Sequence, residues 1–329
     1  MTFKPAKMVT NLRILNAEPD RYSPDAQRIL ESLGSVENGP LTRKQLLAAI
    51  ENIDVLIVRL AHQVDAQLLD RAKCLKVVLT ATTGLDHIDQ EAARARGISI
   101  LSLRGEVEFL QSIPATAEHT WGLLLSLARH IPAAYHSVLE GDWDRDRFRG
   151  NDLEGKTLGV LGLGRIGSKV ARYGQAFGMR VISYDPHPLM TLVGVRMVDS
   201  MDDLFRQSQV LTVHVPLAPE TIHLIGEHQL SSLPPGALLV NTSRGDVIDE
   251  GALLAALKGK RLAGAALDVI SNERHIDRGT SLLVDYARSH ENLIITPHIG
   301  GATVESMAAT EVFMARKLCR YLDQESRES

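Results

Sequence analysis

The sequence is poor in several features that mark specialised classes of protein. It has only two cysteines among 329 residues, too few for a disulfide framework or a cysteine-based zinc site. The formal net charge of −4 gives no general attraction to nucleic acid or an anionic membrane. No apolar stretch approaches the ~20 residues of a membrane-spanning helix, and the start, MTFKPAKMVT, lacks the apolar centre of a signal peptide. These absences predict a cytoplasmic protein with no metal centre, no nucleic-acid partner and no membrane partner.

What is present is the pattern of an α/β protein. Hydrophobic residues make up 44% and charged residues 23%, as in an ordinary globular protein, and the length favours two domains. In the first hundred residues, short apolar runs alternate with amphipathic stretches, which predicts strands separated by helices and hence a parallel sheet. The predicted strands are 13–15, 54–58, 76–79 and 98–100, and the predicted helices are 23–34, 42–52, 65–72 and 89–96.

A second series of buried-type strands follows the polar stretch 141–155. Its six predicted strands are 157–161, 180–184, 210–213, 237–241, 263–267 and 293–296, a number that suits a dinucleotide-binding fold. A long helix is predicted over 114–131, between the two series. The last helix is expected to begin after Thr303 as its N-cap.

A glycine-rich string, GLGRIG, lies between the strand 157–161 and a predicted helix, 165–177. Gly162 permits a tight turn, Gly164 lets the backbone approach a pyrophosphate, and Gly167 lets the helix pack closely on the strand. Asp185 ends the next strand, at the distance expected of the acid that binds the adenosine ribose, which favours NAD over NADP. The alternative for Asp185 is a solvated turn residue before Pro186.

Further motifs follow in one order along the chain: IVR at Arg59, TTGLDHID at 82–89, ATAEHT at 115–120, NTSRGDVIDE, GAALDVISNER and ITPHIGGAT. With them the chain resembles the D-isomer-specific 2-hydroxyacid dehydrogenase family almost from end to end. The resemblance implies two doubly wound parallel-sheet domains. A Rossmann NAD-binding domain, 109–296, is inserted into a flavodoxin-like substrate-binding domain, 1–108 and 297–329. It also implies a homodimer.

Three catalytic residues are implied by the resemblance. Arg244 binds the substrate carboxylate, and its planar, permanently charged guanidinium suits that task. His298 is the general acid in ketone reduction and the general base in alcohol oxidation, and Glu273 stabilises its imidazolium. The family usually follows this acid with proline, whereas Arg274 follows here, and the stretch 274–292 is longer than usual. Glu273 could therefore pair outward with Arg274 or Arg278 instead.

Other positions match family contacts. The implied cofactor-binding residues are Thr83, Thr116, Gly162, Gly164, Arg165, Ile166, Gly167, Asp185, Val215, Pro216, Thr242, Ser243, Asp268 and Gly300. The implied substrate-binding residues are Arg59, Thr83, Gly84 and Arg244. Relatives that act on 3-phosphoglycerate carry basic residues that Arg59 and Arg145 match, but a further arginine position is Thr80 here.

The sequence thus predicts hydride transfer between NAD(H) and a D-2-hydroxy acid or 2-oxo acid. Phosphoglycerate dehydrogenase activity and a noncatalytic NAD-sensing corepressor are the alternatives. A methyltransferase would leave Arg244, Glu273 and His298 without a joint purpose.

Overall fold

The computed structural model describes residues 11–188, 191–273 and 281–328, and they divide into two compact units. The discontinuous unit comprises the chain up to Ile113 together with the chain from Thr303 onward, and the inserted unit comprises Pro114–Ala302. The units therefore separate after Ile113 and after Ala302, whereas the sequence analysis placed the divisions after 108 and after 296. None of the helices in the described ranges combines the length and apolarity that a bilayer-spanning helix requires.

The discontinuous unit alternates strands and helices and ends with a long C-terminal helix. Its elements are β1 (Leu12–Asn16), α1 (Pro24–Glu31), β2 (Gly34–Asn38), α2 (Arg43–Ala49), β3 (Val55–Val58), α3 (Ala66–Arg71), β4 (Val77–Thr80), α4 (Gln90–Ala95), β5 (Ser99–Leu101), α5 (Val107–Gln111) and α13 (Val304–Glu328). The described strands form one parallel sheet in the order β2-β1-β3-β4-β5. Helices α2, α3 and α4 supply apolar residues to one core cluster, and α1, α5 and α13 to another.

Local signals in the sequence explain where these helices begin. The hydroxyl of Thr42 and the side chain of Gln45 form a capping box at the start of α2. The carboxylates of Asp65 and Asp89 accept backbone N–H bonds at the starts of α3 and α4. Thr303 accepts the N–H of Ser306 at 3.1 Å, which confirms the predicted N-cap of α13.

The inserted unit has a larger sheet. Its elements are α6 (Ala115–Ala128), α7 (Ile131–Leu139), β6 (Thr157–Leu161), α8 (Arg165–Ala176), β7 (Arg180–Tyr184), β8 (Val195–Met197), α9 (Met201–Gln207), β9 (Val210–Val213), α10 (Glu227–Ser232), β10 (Ala237–Asn241), α11 (Glu250–Lys258), β11 (Leu262–Leu267), α12 (Leu282–Ala287) and β12 (Leu293–Ile295). Seven described strands pair in parallel in the order β12-β11-β10-β9-β6-β7-β8. Helices α6 and α8 contribute to one core cluster and α9 to α12 to the other, so apolar side chains cover both faces of the sheet.

Several elements were not predicted from the sequence, among them the helices α5 and α9 to α12, the strands β2 and β8, and the helix α7. β2 and β8 are edge strands in which the described side chains are at most half-buried, so they lack the apolar runs of the central strands. The predicted helix 114–131 ends earlier, at Ala128. His130 takes a left-handed backbone conformation, φ 53°, and a second helix, α7, starts with a proline in its first turn.

Candidate active site

The glycine loop between β6 and α8 forms a tight turn. Gly162 has φ +90°, and its N–H donates to the carbonyl of Tyr184 at 2.9 Å. A Cβ on Gly167 would lie 2.0 Å from the carbonyl oxygen of Gly162, so only glycine fits that close approach. A Cβ on Gly164, by contrast, would meet nothing within 4 Å. The first and last glycines are thus required by the turn itself, and the middle one borders open space at the N-terminus of α8, a cradle that suits a pyrophosphate.

Asp185 lies directly after β7 and is fixed beside this loop. One carboxylate oxygen accepts the N–H of Leu163 at 2.8 Å, and the other accepts the N–H of His187 at 2.9 Å. Arg165 and Ile166, also predicted to contact the cofactor, are the first two residues of α8. The loop, the acid and the helix start therefore lie together as the sequence spacing predicted.

The remaining cofactor positions follow the ends of neighbouring strands. Val215 and Pro216 come after β9, and a side-chain carbon of Val215 lies 3.2 Å from where a Cβ of Gly162 would be. Thr242 and Ser243 follow β10; the Thr242 hydroxyl lies 2.8 Å from that of Thr120 in α6. Because carboxyl ends of parallel strands share one edge, these residues border one crevice of the inserted unit.

Asp268, after β11, is the most heavily hydrogen-bonded side chain of this edge. Its Oδ1 lies 3.1 Å from Nε2 of His119 and accepts the hydroxyl of Thr296 at 2.6 Å. Oδ1 also accepts the N–H of Ile299 at 2.9 Å, and Oδ2 accepts the N–H of Gly300 at 2.7 Å. Burial would raise the pKa of Asp268, but these hydrogen bonds outweigh burial and hold the pKa below its ordinary 3.8. Asp268 thus shapes the turn 298–300.

Two residues that contact Asp268, Gly300 and His119, connect it to helix α6. Gly300 lies against Thr116 of α6, because a Cβ on the glycine would be 3.4 Å from the Thr116 methyl carbon. His119, one turn further along α6, was not predicted. The sequence shows only that a histidine lies in a helix rich in buried residues. That pattern does not reveal Asp268 as the partner of His119.

His298 and Glu273 form a close pair. Nδ1 of the imidazole is 2.5 Å from Oε1 of Glu273, and both side chains are about three-quarters buried, at 24% and 27% exposure. The backbone of His298 is left-handed, φ 53°, and its N–H donates to the carbonyl of Asp268 at 2.9 Å. With Nδ1 facing the carboxylate, Nε2 is the ring nitrogen left to exchange a proton with a ligand.

Arg244 lies directly before a short 3₁₀ turn, Gly245–Val247, after β10. Its carbonyl accepts a hydrogen bond from the side chain of Asn241 at 2.9 Å, and its guanidinium donates to the carbonyl of Ser243 at 2.7 Å. Gly245 touches the chain that leads to Glu273, since a Cβ there would lie 2.1 Å from the carbonyl carbon of Ile270. The turn after Arg244 therefore packs against the segment that leads from β11 to Glu273. Arg274 and Arg278, the alternative partners for that acid, lie outside the described residues.

The substrate positions of the discontinuous unit follow β3 and β4. Thr83 and Gly84 lie in the turn after β4, where the hydroxyl of Thr82 donates to the carbonyl of Gly84 at 2.8 Å. Arg59 follows β3 directly, and its guanidinium is 2.8 Å from a carboxylate oxygen of Glu311 in α13. The sequence analysis did not foresee this ion pair.

Comparison with known proteins agrees with this geometry. Residues 121–300 match the family model described as D-isomer specific 2-hydroxyacid dehydrogenase, NAD binding domain, which covers more than half of the chain. The chain belongs to this family. The predicted family and its NAD cofactor are thereby confirmed.

Relatives and solved structures extend the match beyond that segment. D-3-phosphoglycerate dehydrogenase of Methanocaldococcus jannaschii is 40% identical over 97% of this chain and 59% of its own length. Hydroxypyruvate reductase of Thermotoga maritima is 38% identical over 86% of this chain and 89% of its own length. The TT0316 protein of Thermus thermophilus superposes with a TM-score of 0.83 at 35% identity, covering 95% of this chain and 97% of its own, which confirms the predicted fold.

D-Lactate dehydrogenase of Aquifex aeolicus, solved with NAD and lactic acid, has a TM-score of 0.82 at 27% identity and covers 96% of each chain. Not every relative matches over its full length. The chain spans 59% of the Methanocaldococcus enzyme and 53% of the rat D-3-phosphoglycerate dehydrogenase, slightly more than half of these relatives.

Proposed function

We propose that this chain transfers a hydride reversibly between NAD(H) and C2 of a D-2-hydroxy acid or 2-oxo acid. The observation that carries the proposal is the His298–Glu273 pair, which the Asp268 turn holds at the same edge of the sheet as the glycine loop. A proton donor is needed wherever hydride addition places negative charge on a carbonyl oxygen. His298 meets that need in reduction and accepts the same proton in oxidation.

The other residues have binding roles in this proposal. Arg244 binds the substrate carboxylate through its guanidinium. In the discontinuous unit, Thr83 and Gly84 are the residues whose backbone N–H groups can bind substrate. Glu273 stabilises the imidazolium form of His298 and fixes the orientation of the ring. Apart from Thr83, the residues assigned to the cofactor are taken from the inserted unit.

The residues of the inserted unit fit the cofactor that the family implies. Gly164 and the start of α8 form a cradle for the pyrophosphate, and Asp185 binds the ribose hydroxyls and repels a 2′-phosphate. Thr116, Asp268 and Gly300 border the nicotinamide, while Val215, Pro216, Thr242 and Ser243 border the rest of the molecule. When bound, the nicotinamide supplies or accepts the hydride.

An NADH-consumption screen tests this function. Glyoxylate, hydroxypyruvate, pyruvate, branched and aromatic 2-oxo acids, and 3-phosphohydroxypyruvate are each offered with NADH and, separately, NADPH. We expect turnover of at least one acid with NADH preferred, and near-complete loss of turnover in His298→Ala. Should no acid be reduced while NADH binding alters self-association, the chain is an NAD sensor instead.

We also propose that the chain forms a homodimer through the outer face of α7. Four apolar residues at helical spacing are exposed there: Ile131, Tyr135, Val138 and Leu139, the tyrosine by 67%. Trp143, just beyond, is 85% exposed. A cluster of this kind marks an interaction surface. Light scattering is expected to show a dimer that Leu139→Glu converts to monomer, while Val193→Glu, at an exposed residue of the same unit, leaves it a dimer.

The compartment we propose is the cytoplasm. Cys74 and Cys319 are both unpaired, and Cys74 is exposed, which fits a reducing environment. Cell fractionation of the tagged protein tests this assignment, and recovery outside the cytoplasmic fraction would contradict it.

A further inference from the structure

The sheet of the discontinuous unit reverses its strand order between β1 and β3. In the order β2-β1-β3-β4-β5, the chain winds one way from β1 to β2 and the other way from β3 to β5. In open parallel sheets, ligands bind in the crevice at the carboxyl ends of the strands beside such a switch point. Glu18 comes two residues after β1, and Arg59 comes directly after β3. These two side chains therefore border the place where an anionic ligand group would be expected.

The three backbone N–H groups that follow β3 already have an acceptor. One carboxylate oxygen of Glu18 accepts the N–H of Arg59 at 2.8 Å, and the other accepts the N–H groups of Leu60 and Ala61, both at 3.2 Å. Successive backbone N–H groups that converge in this way form an anion-binding concavity. The chain fills it with its own carboxylate.

Both terminal nitrogens of the Arg59 guanidinium have partners as well. One terminal nitrogen lies 2.8 Å from Oε1 of Glu311, and the other donates to the carbonyl of Asp20 at 3.2 Å. Glu311 is almost fully buried, at 2% exposure, and its second oxygen accepts the N–H of Ser23 at 2.6 Å. The pair thus joins β3, the segment before α1, and α13. The positive charge of the Arg59 guanidinium is cancelled by the negative charge of the Glu311 carboxylate beside it.

The neighbouring strand end adds no charge. Thr80 closes β4, is fully buried, and places its hydroxyl 3.1 Å from that of Thr82 and 3.4 Å from Nε2 of His87. Among the described residues, Arg59 after β3 is therefore the one cation that directly follows β3 or β4. A phosphate bound beside Arg59 would also be near the carboxylates of Glu18 and Glu311, which both contact that residue, and like charges repel.

We propose that Glu311, with Glu18, determines substrate class by cancelling the positive charge of this crevice. The enzyme would then select 2-oxo acids whose one anionic group is the C1 carboxylate and discriminate against those with a second, phosphate group. This inference rests on the proposed dehydrogenase function. It separates the chain from its D-3-phosphoglycerate dehydrogenase relatives, which act on a phosphorylated acid by name.

The test compares two substrates that differ by the phosphate alone. We expect kcat/KM for hydroxypyruvate to exceed that for 3-phosphohydroxypyruvate by at least about tenfold in the wild type. Glu311→Gln keeps the size of the side chain and removes its charge, so the ratio is expected to shift toward the phosphorylated acid by about tenfold or more. Thermal unfolding of each variant establishes that it is folded, and Glu18→Gln provides a second route if Glu311→Gln does not fold.

Glu106→Gln is the matched control. Glu106 lies 2.6 Å from Nζ of Lys317, so it also forms a partly buried ion pair with another segment of the same unit, here with α13 itself. Its removal is expected to leave the substrate ratio unchanged. A wild type that prefers the phosphorylated acid, or a folded Glu311→Gln with an unchanged ratio, would overturn the proposal.

Failure of the underlying function gives a different result. In that case neither acid, nor any other acid of the screen, would be reduced. Binding of D-glycerate and of 3-phospho-D-glycerate, measured by calorimetry with NAD present, then tests the charge argument by itself. Tighter binding of the phosphorylated acid to the wild type would refute it, and tighter binding of D-glycerate would support it.

Discussion

Nδ1 of His298 lies 2.5 Å from a carboxylate oxygen of Glu273, so the acid holds one ring nitrogen and Nε2 is the nitrogen that can exchange a proton with a ligand. Glu273 follows β11 by six residues and His298 follows β12 by three, and both strands end at the same edge of the sheet. The contact therefore joins two strand ends and fixes the orientation of the imidazole ring.

Glu273→Gln keeps a hydrogen-bonding side chain but removes the charge. We expect kcat for reduction to fall by about 10- to 100-fold, because the charged acceptor that holds Nδ1 of His298 is lost. His298→Asn should lose more, about 10²- to 10⁴-fold. Steady-state rates at saturating NADH and acid, with NADH binding followed by fluorescence, check both. Glu291→Gln, at an exposed acid of the same unit, is the control; a Glu273→Gln variant with the wild-type kcat would contradict the role.

Asp268→Asn tests the turn that carries His298. The amide nitrogen would face the backbone N–H of either Ile299 or Gly300, a donor against a donor, so we expect a loss of about 2–5 kcal/mol in the free energy of unfolding and a lower kcat. The folded pKa of Asp268 lies below its ordinary 3.8, so its charge stabilises the fold above that pH. That contribution is lost as the pH falls through the lowered pKa.

The stability difference between wild type and Asp268→Asn should therefore be largest near neutral pH and shrink below about 4. Urea unfolding at several pH values measures it. Asp249→Asn is the control, because Asp249 is an N-cap and asparagine caps helices equally well. A difference that stays constant into the acid range would count against the charged hydrogen-bond network.

Two glycines of the cofactor loop should respond differently to the same methyl group. Gly164→Ala adds a Cβ where no atom lies within 4 Å, so the fold is expected to survive while NADH affinity falls by about tenfold or more. Gly167→Ala places a Cβ 2.0 Å from the carbonyl oxygen of Gly162 and should destabilise the inserted unit itself. Calorimetric titration and thermal unfolding separate the two effects. Gly122→Ala, also in open space but within α6, should change neither property adversely.

The parts of the fold that could be predicted are those that local pattern encodes. The central strands, such as β6 and β9, are continuous apolar runs because both faces of the sheet are covered. The edge strands were missed because GSVEN and VRM have no such run. The helix break at His130 was missed because the apolar pattern continues past it, and a left-handed residue leaves no periodic signal.

The candidate site also has a part that could be predicted from the sequence and a part that could not. The glycine loop and Asp185 follow from spacing, since strand, turn and helix are consecutive in the chain. The pairs Arg59–Glu311 and His119–Asp268 join residues 252 and 149 positions apart, and both depend on how strands and helices pack. No sequence period encodes such a contact. The residue types were visible, but their partners were not.

His214 gives a prediction that concerns pH and not catalysis. It lies directly after β9, and both ring nitrogens are buried with no hydrogen-bond partner in the part of the chain that the structure describes. Burial lowers the pKa of His214 from 6.5 to about 3. Between these values the unfolded chain binds a proton that the folded chain does not, so stability falls as the pH falls through this range, by up to about 1.4 kcal/mol per pH unit.

His214→Gln is neutral at every pH and should remove this contribution, so the variant loses less stability than the wild type between pH 6.5 and about 3. The free energy of unfolding at a series of pH values is the measurement. His228→Gln is the matched control, because that histidine is 70% exposed and lacks the burial that acts on His214. Parallel stability curves for wild type and His214→Gln would mean that the buried ring takes up its proton without unfolding, as it could if the segment after β9 opened to water.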